Sequence, residues 1–300
     1  MRVELYQYDR LKETQTSRLY FKGDLVYKVK KSVADNFISY LTRQERRAAI
    51  EREFNRSVKY SPRLYREMVD VLEPAVPEPE PAICMNYLGP HYTTLFSHLR
   101  RSPLRAGTLG RLLDEIKAFH GRTRVYTKPD EVPSAGMERR FRLLLDEAES
   151  LGVRMQPGFI EGCEKFLSRY QAEYAVRMER GLIRELHGDL HTDNILFNGD
   201  DFIFFDFLDF EESFTTGDIG VDLGFLISDF CSREEINDPA RLLSSVDSRF
   251  NVGAETLVPL AALGLLNRAN TFRLRADCQD MSDASYRLSE SMMERYLKEF

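Results

Sequence analysis

Three polar residues at fixed spacing mark the segment Leu186 to Leu208, which reads LHGDLHTDNILFNGDDFIFFDFL: Asp189, Asn194 five positions later, and Asp206 twelve positions beyond that. A carboxylate held beside an amide oxygen suits Mg2+, an ion that keeps several waters and takes substrate phosphates rather than a full protein cage. Asn194 and Asp206 are the candidate metal ligands on that ground. A carboxylate near such an ion but not bound to it, the place open to Asp189, can accept the proton of an attacking hydroxyl while the metal offsets charge on a transferred phosphoryl group. A lone HxD is a common polar turn. The whole constellation, ending in an aspartate after an apolar strand, arises by chance in roughly one chain in a thousand. His187 is read as shaping the loop by hydrogen bonds.

These residues need a scaffold. Asn198-Gly199, between Ile195-Leu-Phe197 and Phe202-Ile-Phe-Phe205, predicts a tight antiparallel hairpin with a four-residue connection, Asn198 to Asp201. With Phe197 opposite Phe202, Asn194 falls opposite Phe205, so Asn194 and Asp206 leave the open end of the hairpin side by side. Asp218 fits a helix N-cap before Ile219. Asp222 follows one turn later among Val221, Leu223, Phe225 and Leu226, where a carboxylate needs a partner.

The N-terminal third reads as strands around one helix. Arg18 to Phe21 and Leu25 to Lys30 flank a Lys22-Gly23-Asp24 turn, and alternation on the second strand puts Val26, Lys28 and Lys30 on one face. Arg43 to Tyr60 is a charged helix with Ile50, Phe54 and Val58 at four-residue spacing, and Pro62 marks its end. Glu51 and Glu53 flank that stripe at about equal angles, so periodicity leaves both open. Val69 to Leu72 and Ala82 to Met85 are two further strands, joined by EPAVPEPEP, which reads as an exposed loop outside any ladder. Beyond Gly89-Pro90 the period becomes helical, first through Leu109, Leu112, Leu113, Ile116, Phe119 and His120, then over about 137–152 and 159–181, and again from Asp218 onward. The expectation is an α+β chain: a small antiparallel sheet-plus-helix lobe over 1–88 and a larger, mainly helical lobe over 89–300.

HGDLHTDN, IFFDF and GDIGVDLGFL together resemble the aminoglycoside phosphotransferase family of kinase-like enzymes, and YFKGDLVYKVKK with RRAAIEREFNRS and SPRLY resembles a bacterial branch of it. The likeness runs from about Glu13 to Leu72 and from Asn86 to Phe230, with a fainter echo around Asn267 to Arg275. It implies a protein-kinase-like two-lobed fold and an ATP- and Mg2+-dependent transfer of the γ-phosphate to a hydroxyl of a small molecule such as an amino sugar, with Asp189 catalytic. In such kinases a strand lysine grips the α- and β-phosphates and a helix glutamate holds it. The family pattern selects Lys28, with Lys30 in reserve, and Glu53 over Glu51. It also implies that backbone near Asn86, Tyr87 and Leu88 meets adenine, that Thr16 and Ser17 stand near the terminal phosphates, and that Asp222 anchors the catalytic loop. Two departures are plain: no GxGxxG precedes the lysine strand, and Phe207 to Glu212 lacks the glycine of a protein-kinase DFG, which argues against a switchable activation loop.

The acceptor is not written in a motif. Asp193, Asp209, Glu211 and Glu212 would make an acidic mouth for an amine-bearing alcohol, whereas Asn267, Arg268, Arg273 and Arg275 offer polar contacts whose arginines point to an anionic one. A nucleotide-binding pseudokinase, or a kinase for a protein partner, is the alternative reading. Retention of Lys28, Asp189, Asn194 and Asp206 argues against lost chemistry. A two-metal phosphoesterase, prompted by Asp189-Leu-His191 and Gly217-Asp218, would need later histidines, yet the five are His91, His98, His120, His187 and His191.

Composition narrows the partners. With 42 basic and 48 acidic residues the formal charge is −6, which disfavours a nonspecific nucleic-acid surface. The four cysteines are too dispersed for a disulfide framework, and a reducing, cytoplasmic compartment is expected. The longest apolar run, Leu257 to Leu266, falls short of the roughly 20 residues of a membrane span, so no membrane partner is expected.

Overall fold

The computed structural model describes residues 2–34, 38–74, 76, 78–102, 107–132, 136–208, 212–232, 239–274 and 278–300. In chain order they form β1 (Arg2–Glu4), β2 (Arg10–Glu13), β3 (Ser17–Lys22), β4 (Leu25–Lys30), α1 (Arg43–Tyr60), β5 (Tyr65–Leu72), β6 (Glu80–Asn86), β7 (Thr93–Thr94), α2 (Leu95–Leu99) and α3 (Thr108–Arg122). Then follow α4 (Gly136–Ser150), α5 (Pro157–Glu179), β8 (Ile183–Glu185), β9 (Ile195–Phe197), β10 (Phe202–Phe204), α6 (Glu212–Thr215), β11 (Thr216–Asp218), α7 (Gly220–Cys231), α8 (Pro239–Phe250), α9 (Ala254–Arg273) and α10 (Gln279–Glu299). Two compact units interleave in sequence: Met1–Leu95 with Asn194–Glu211, and Phe96–Asp193 with Glu212–Phe300.

The first unit is built on a six-stranded sheet in the order β1-β5-β6-β4-β3-β2. The expected hairpin is present, with Tyr20 opposite Tyr27, and only the β1–β5 pair is parallel among the described strands. Alternation sends Tyr20, Tyr27, Val29, Val69, Val71, Ala82 and Cys84 into one apolar cluster. Val26, Leu64, Tyr65, Ile83 and Met85 go into another, which Ile50 of α1 and Ile203 of β10 complete. Helix α1 starts at a capping box, Thr42 with Glu45.

The last two residues of the Glu/Pro tract correct the loop expected there. Glu80 and Pro81 join β6, opposite Val71 and Asp70. Pairing with β4 ends at Val29 opposite Ala82, so Pro81 sits where the strand has a neighbour on one side only and its missing N–H costs nothing. Glu80 stays in place because Arg46 forks its carboxylate at 2.8 and 2.7 Å.

In the second unit α9 packs on α10 and α7. The α7–α9 approach depends on Gly224, where a Cβ would lie 2.6 Å from the Leu260 backbone. Asp218 ends β11 and also supplies the cap expected of it: Ile219 already has helical backbone, and the Asp218 carboxylate accepts the Gly220 N–H at 2.8 Å. The same buried carboxylate meets the fork of Arg177 at 2.5 and 3.1 Å. A buried guanidinium without that partner would be costly. Among the described residues no helix is long and apolar enough to cross a membrane.

Candidate active site

Strand β4 presents Lys28 and Lys30 on one face, and α1 answers both with a single carboxylate. Glu53 is fully buried, with Oε1 2.7 Å from Lys28 Nζ in an aligned hydrogen bond and Oε2 2.9 Å from Lys30 Nζ in an ion pair of poorer angle. Glu51 is exposed. Lys28 also contacts the carboxylate of Asp206, whereas Lys30 lies 5.0 Å from the centre of the Tyr40 ring. Burial acts most strongly on Lys28 and disfavours its charge, but Asp206 and Glu53 together outweigh it and hold the ammonium protonated well above its usual range.

The β9–β10 hairpin has the register its turn predicts. Phe197 faces Phe202, Ile195 faces Phe204, and the Phe205 N–H donates to the Asn194 carbonyl at 3.0 Å. Asn198 Oδ1 closes the turn by accepting the N–H groups of Asp200 and Asp201. The next residue, Asp206, has φ +61°, a left-handed conformation that aspartate tolerates better than most residues at a cost of about 1 kcal/mol. Its surroundings hold it there. The Tyr65 hydroxyl accepts the Asp206 N–H at 3.1 Å, Ser61 Oγ donates to the Phe204 carbonyl, the Tyr60 and Phe207 rings pack with centroids 5.6 Å apart, and Arg56 donates to the Leu208 carbonyl. The Asp206 side chain keeps 44% exposure while Lys28 keeps 7%, so the lysine forms the floor and the carboxylate stays accessible.

The second unit carries Asp189 on a loop pinned at two points. Asp222, fully buried, accepts the His187 N–H at 2.8 Å and the Gly188 N–H at 2.9 Å; Gly188 has φ +89°, a conformation that favours glycine. Asp229, also fully buried, accepts the Thr192 N–H at 2.8 Å and the Thr192 hydroxyl, and is itself paired with Arg268 at 2.5 Å. Between the pins, Asp189 is one-third exposed and lies 3.3 Å from His191 Nε2. His187 is buried and its Nδ1 accepts the Asp189 N–H at 3.4 Å, the loop-shaping part expected of it.

The model of the phosphotransferase enzyme family matches residues 25–245, a span that includes Lys28, Glu53, Asp189, Asn194 and Asp206. The chain belongs to the phosphotransferase enzyme family.

An uncharacterised protein of Mycobacterium tuberculosis is 24% identical over 236 residues, covering 76% of this chain and 47% of that protein, and one of Mycobacterium bovis matches to the same extent. The chain thus spans about half the length of the relatives it matches. Among solved structures, a choline/ethanolamine kinase family protein from Mesorhizobium loti superposes with a TM-score of 0.54 at 16% identity over 98% of this chain and 93% of that one. A microcompartment-associated aminopropanol kinase gives 0.55 at 15% over 98% and 95%. The GDP complex of wild-type aminoglycoside 2'-phosphotransferase-IIIa gives 0.54 at 16% over 97% and 94%. At these identities the likeness bears on fold alone, and the protein-kinase-like α+β fold expected from the motifs is borne out.

The remaining expected residues are distributed as follows. Ser17, in β3 opposite Lys30, has a buried hydroxyl without a hydrogen-bond partner among the described residues. Thr16 meets the Lys31 N–H through its carbonyl. At the end of β6, the Asn86 N–H donates to Leu64 and the Tyr87 N–H to Asp24, while the Asn86 side chain donates to the Arg63 carbonyl. Asp209, Glu211, Arg275 and the side chain of Glu212 lie outside the described residues. Sequence reasoning missed Tyr65, Asp229 and the part played by Arg268. Asp229 left a signal: it recurs seven residues after Asp222, on the same helix face and again among apolar neighbours.

Proposed function

We propose that this chain is an ATP- and Mg2+-dependent phosphotransferase that moves the γ-phosphate to a hydroxyl of a small molecule. The observation that carries the reading is the buried Lys28 ammonium, bridged between Glu53 and an Asp206 carboxylate that remains accessible. A lysine kept charged and fixed in direction is suited to gripping phosphate oxygens. Asn194 and Asp206 supply the oxygen donors that fit Mg2+. When bound, that ion neutralises charge on the phosphates and on the group in transfer. Ser17 Oγ, buried and without a partner among the described residues, is a polar atom that a phosphate oxygen or a water would satisfy. At the hinge the N–H groups of Asn86 and Tyr87 are already committed, so adenine contacts fall to the carbonyls and to Leu88. Asp189 orients the acceptor hydroxyl and takes its proton, on a loop that Asp222 and Asp229 keep still. The choline/ethanolamine, aminopropanol and aminoglycoside enzymes among the neighbours support alcohols that carry an amine as the first acceptors to try.

The test is thermal stabilisation by ATP, GTP and ADP, with and without Mg2+, for the wild type and Asp206→Ala. Ligand at 100 times its dissociation constant adds about 2.7 kcal/mol to the native state. A Mg2+-dependent shift with ATP, lost in Asp206→Ala, is the expected result. Asp189→Ala should keep the shift and lose turnover. A folded wild type that responds to no nucleotide would sink the proposal and favour a scaffold that binds a partner instead.

A further inference from the structure

Asp189 has a neighbour that phosphoryl transfer leaves without a task. His191 Nε2 lies 3.3 Å from Asp189 Oδ2, and His191 Nδ1 accepts the backbone N–H of Asp193 at 3.2 Å. An N–H aimed at Nδ1 requires a lone pair there, so the neutral ring carries its proton on Nε2, the nitrogen 3.3 Å from the carboxylate. We propose that His191 is a positioning residue whose Nε2–H holds Oδ2 of Asp189 and thereby fixes the plane of the carboxylate that meets the acceptor hydroxyl. The inference rests on the reading of Asp189 as the residue that orients the acceptor.

A carboxylate turns about its Cβ–Cγ bond unless one oxygen is held, and holding one fixes the direction of the other. Reacting groups misplaced by about 1 Å lose on the order of 10²-fold in rate, so one such hold is worth having. The ring in turn is braced on both sides. The Asp193 N–H fixes it from one edge, and Thr192, the next residue in the loop, is tied through its N–H and hydroxyl to Asp229, itself paired with Arg268. The charged groups that face the imidazole are Asp189 on its own loop, Asp229 from α7 and Arg268 from α9. Burial disfavours the charged ring, the two carboxylates outweigh that and raise its pKa, and Arg268 opposes them. Neutral and charged rings both keep the Nε2 proton, so the hold on Asp189 survives titration, whereas the Nδ1 acceptor is lost in the charged form.

Two substitutions separate donor from bulk. His191→Gln retains a side-chain N–H donor of similar reach, and His191→Leu fills the space without one. With water as the acceptor, ADP release from Mg·ATP should fall about 10²-fold in His191→Leu, with the KM for ATP changed by less than about twofold, and most of the loss should be recovered in His191→Gln. Nitrogen NMR of the full chain should show the neutral ring protonated at Nε2 and its pKa falling in Asp189→Asn. Equal loss in the Gln and Leu variants, a neutral ring protonated at Nδ1, or a pKa indifferent to Asp189→Asn would each overturn the inference. A wild type that neither binds nor turns over ATP defeats the phosphotransferase reading, and the nitrogen spectra then decide the Asp189–His191 contact alone.

Discussion

The backbone N–H of Asp206 donates to the hydroxyl of Tyr65 at 3.1 Å, while Lys28 holds the carboxylate of the same aspartate. Main chain and side chain are therefore fixed by different elements, β5 and β4. Around them α1 and the residue after it contribute Glu53, Arg56, Tyr60 and Ser61 to the same hairpin end. The Tyr65 hydroxyl is kept neutral by burial and by the nearby charge of Glu53, which both raise its pKa. Left-handed backbone at Asp206 is thus held from several directions rather than by one contact, the condition under which local strain persists.

Tyr65→Phe keeps the ring in its apolar cluster and deletes one acceptor. Urea unfolding should show a loss of about 1 kcal/mol. The Mg2+ concentration for half-maximal thermal stabilisation by ATP should rise about tenfold, as for other residues that orient a metal ligand. Ser61→Ala, which loosens the same hairpin end two residues earlier at the Phe204 carbonyl, should shift the Mg2+ midpoint in the same direction by a smaller factor. Identical Mg2+ midpoints in the wild type and Tyr65→Phe would show that the contact is structural only.

Glu53→Gln preserves shape and removes the charge between two buried lysines. Breaking a buried ion pair from one side costs about 3–5 kcal/mol, and the lower figure is expected because Lys28 retains Asp206. Chemical denaturation measures it directly. A loss under 1 kcal/mol would mean that water or a rearranged Asp206 replaces Glu53 readily.

Asp218→Asn addresses the other buried pair. Arg177 is 2% exposed and directs its fork at Asp218, with further bonds to the Val252 carbonyl and Thr256. Asparagine leaves the guanidinium charged and uncompensated, with an expected loss of about 3–5 kcal/mol read from the denaturation midpoint. Arg177→Met together with Asp218→Asn should recover part of it, since the remaining neutral groups no longer include an isolated charge.

His120 gives stability a dependence on pH. Burial, with Arg184 and His187 adding to it, pushes its imidazole down to about 3, although Asp222 Oδ2 stands 3.5 Å from Nε2. The unfolded chain takes up the proton near pH 6.5, before the folded one does. The contribution of neutral His120 is therefore intact above about pH 6.5 and is lost as pH falls towards the folded pKa, by up to about 1.4 kcal/mol per unit. Urea midpoints at pH 7.5 and 5.0 should fall less in His120→Leu than in the wild type. Equal falls would assign the acid sensitivity to other groups.

What could be read from sequence was local. The β9–β10 register was legible because a short turn and a two-residue alternation leave one pairing, and that pairing carries Asn194 and Asp206 out together. The choice between Glu51 and Glu53 was not legible from periodicity, since both stand equally far from the apolar stripe; packing of α1 on β5 and β6 buries Glu53, where Lys28 and Lys30 of β4 reach it. Contacts that join distant positions left no local trace. Tyr65 and Asp206 are 141 residues apart, and Arg177 and Asp218 are 41 apart, so Asp218 read as a helix cap without its ion pair. Pro81 looked excluded from any ladder because nothing near it in sequence shows that the pairing of β6 with β4 begins only at Ala82.

The interleaving of the two units also bears on how the chain is made. Ile203 completes the apolar cluster of the first unit, and Leu196 and Phe205 pack against it, yet these residues leave the ribosome long after Leu95. At about 5–20 residues per second, roughly ten seconds separate the synthesis of the six-stranded sheet from the arrival of the hairpin that covers its inner face. During that interval the cluster of Val26, Ile83 and Met85 lacks the cover of Ile203, Leu196 and Phe205, a gap that invites chaperone binding or misassociation. A ribosome-bound fragment ending near residue 100 should therefore be protease-sensitive in the first unit, and one extended beyond residue 208 by the length of the exit tunnel should acquire protection there.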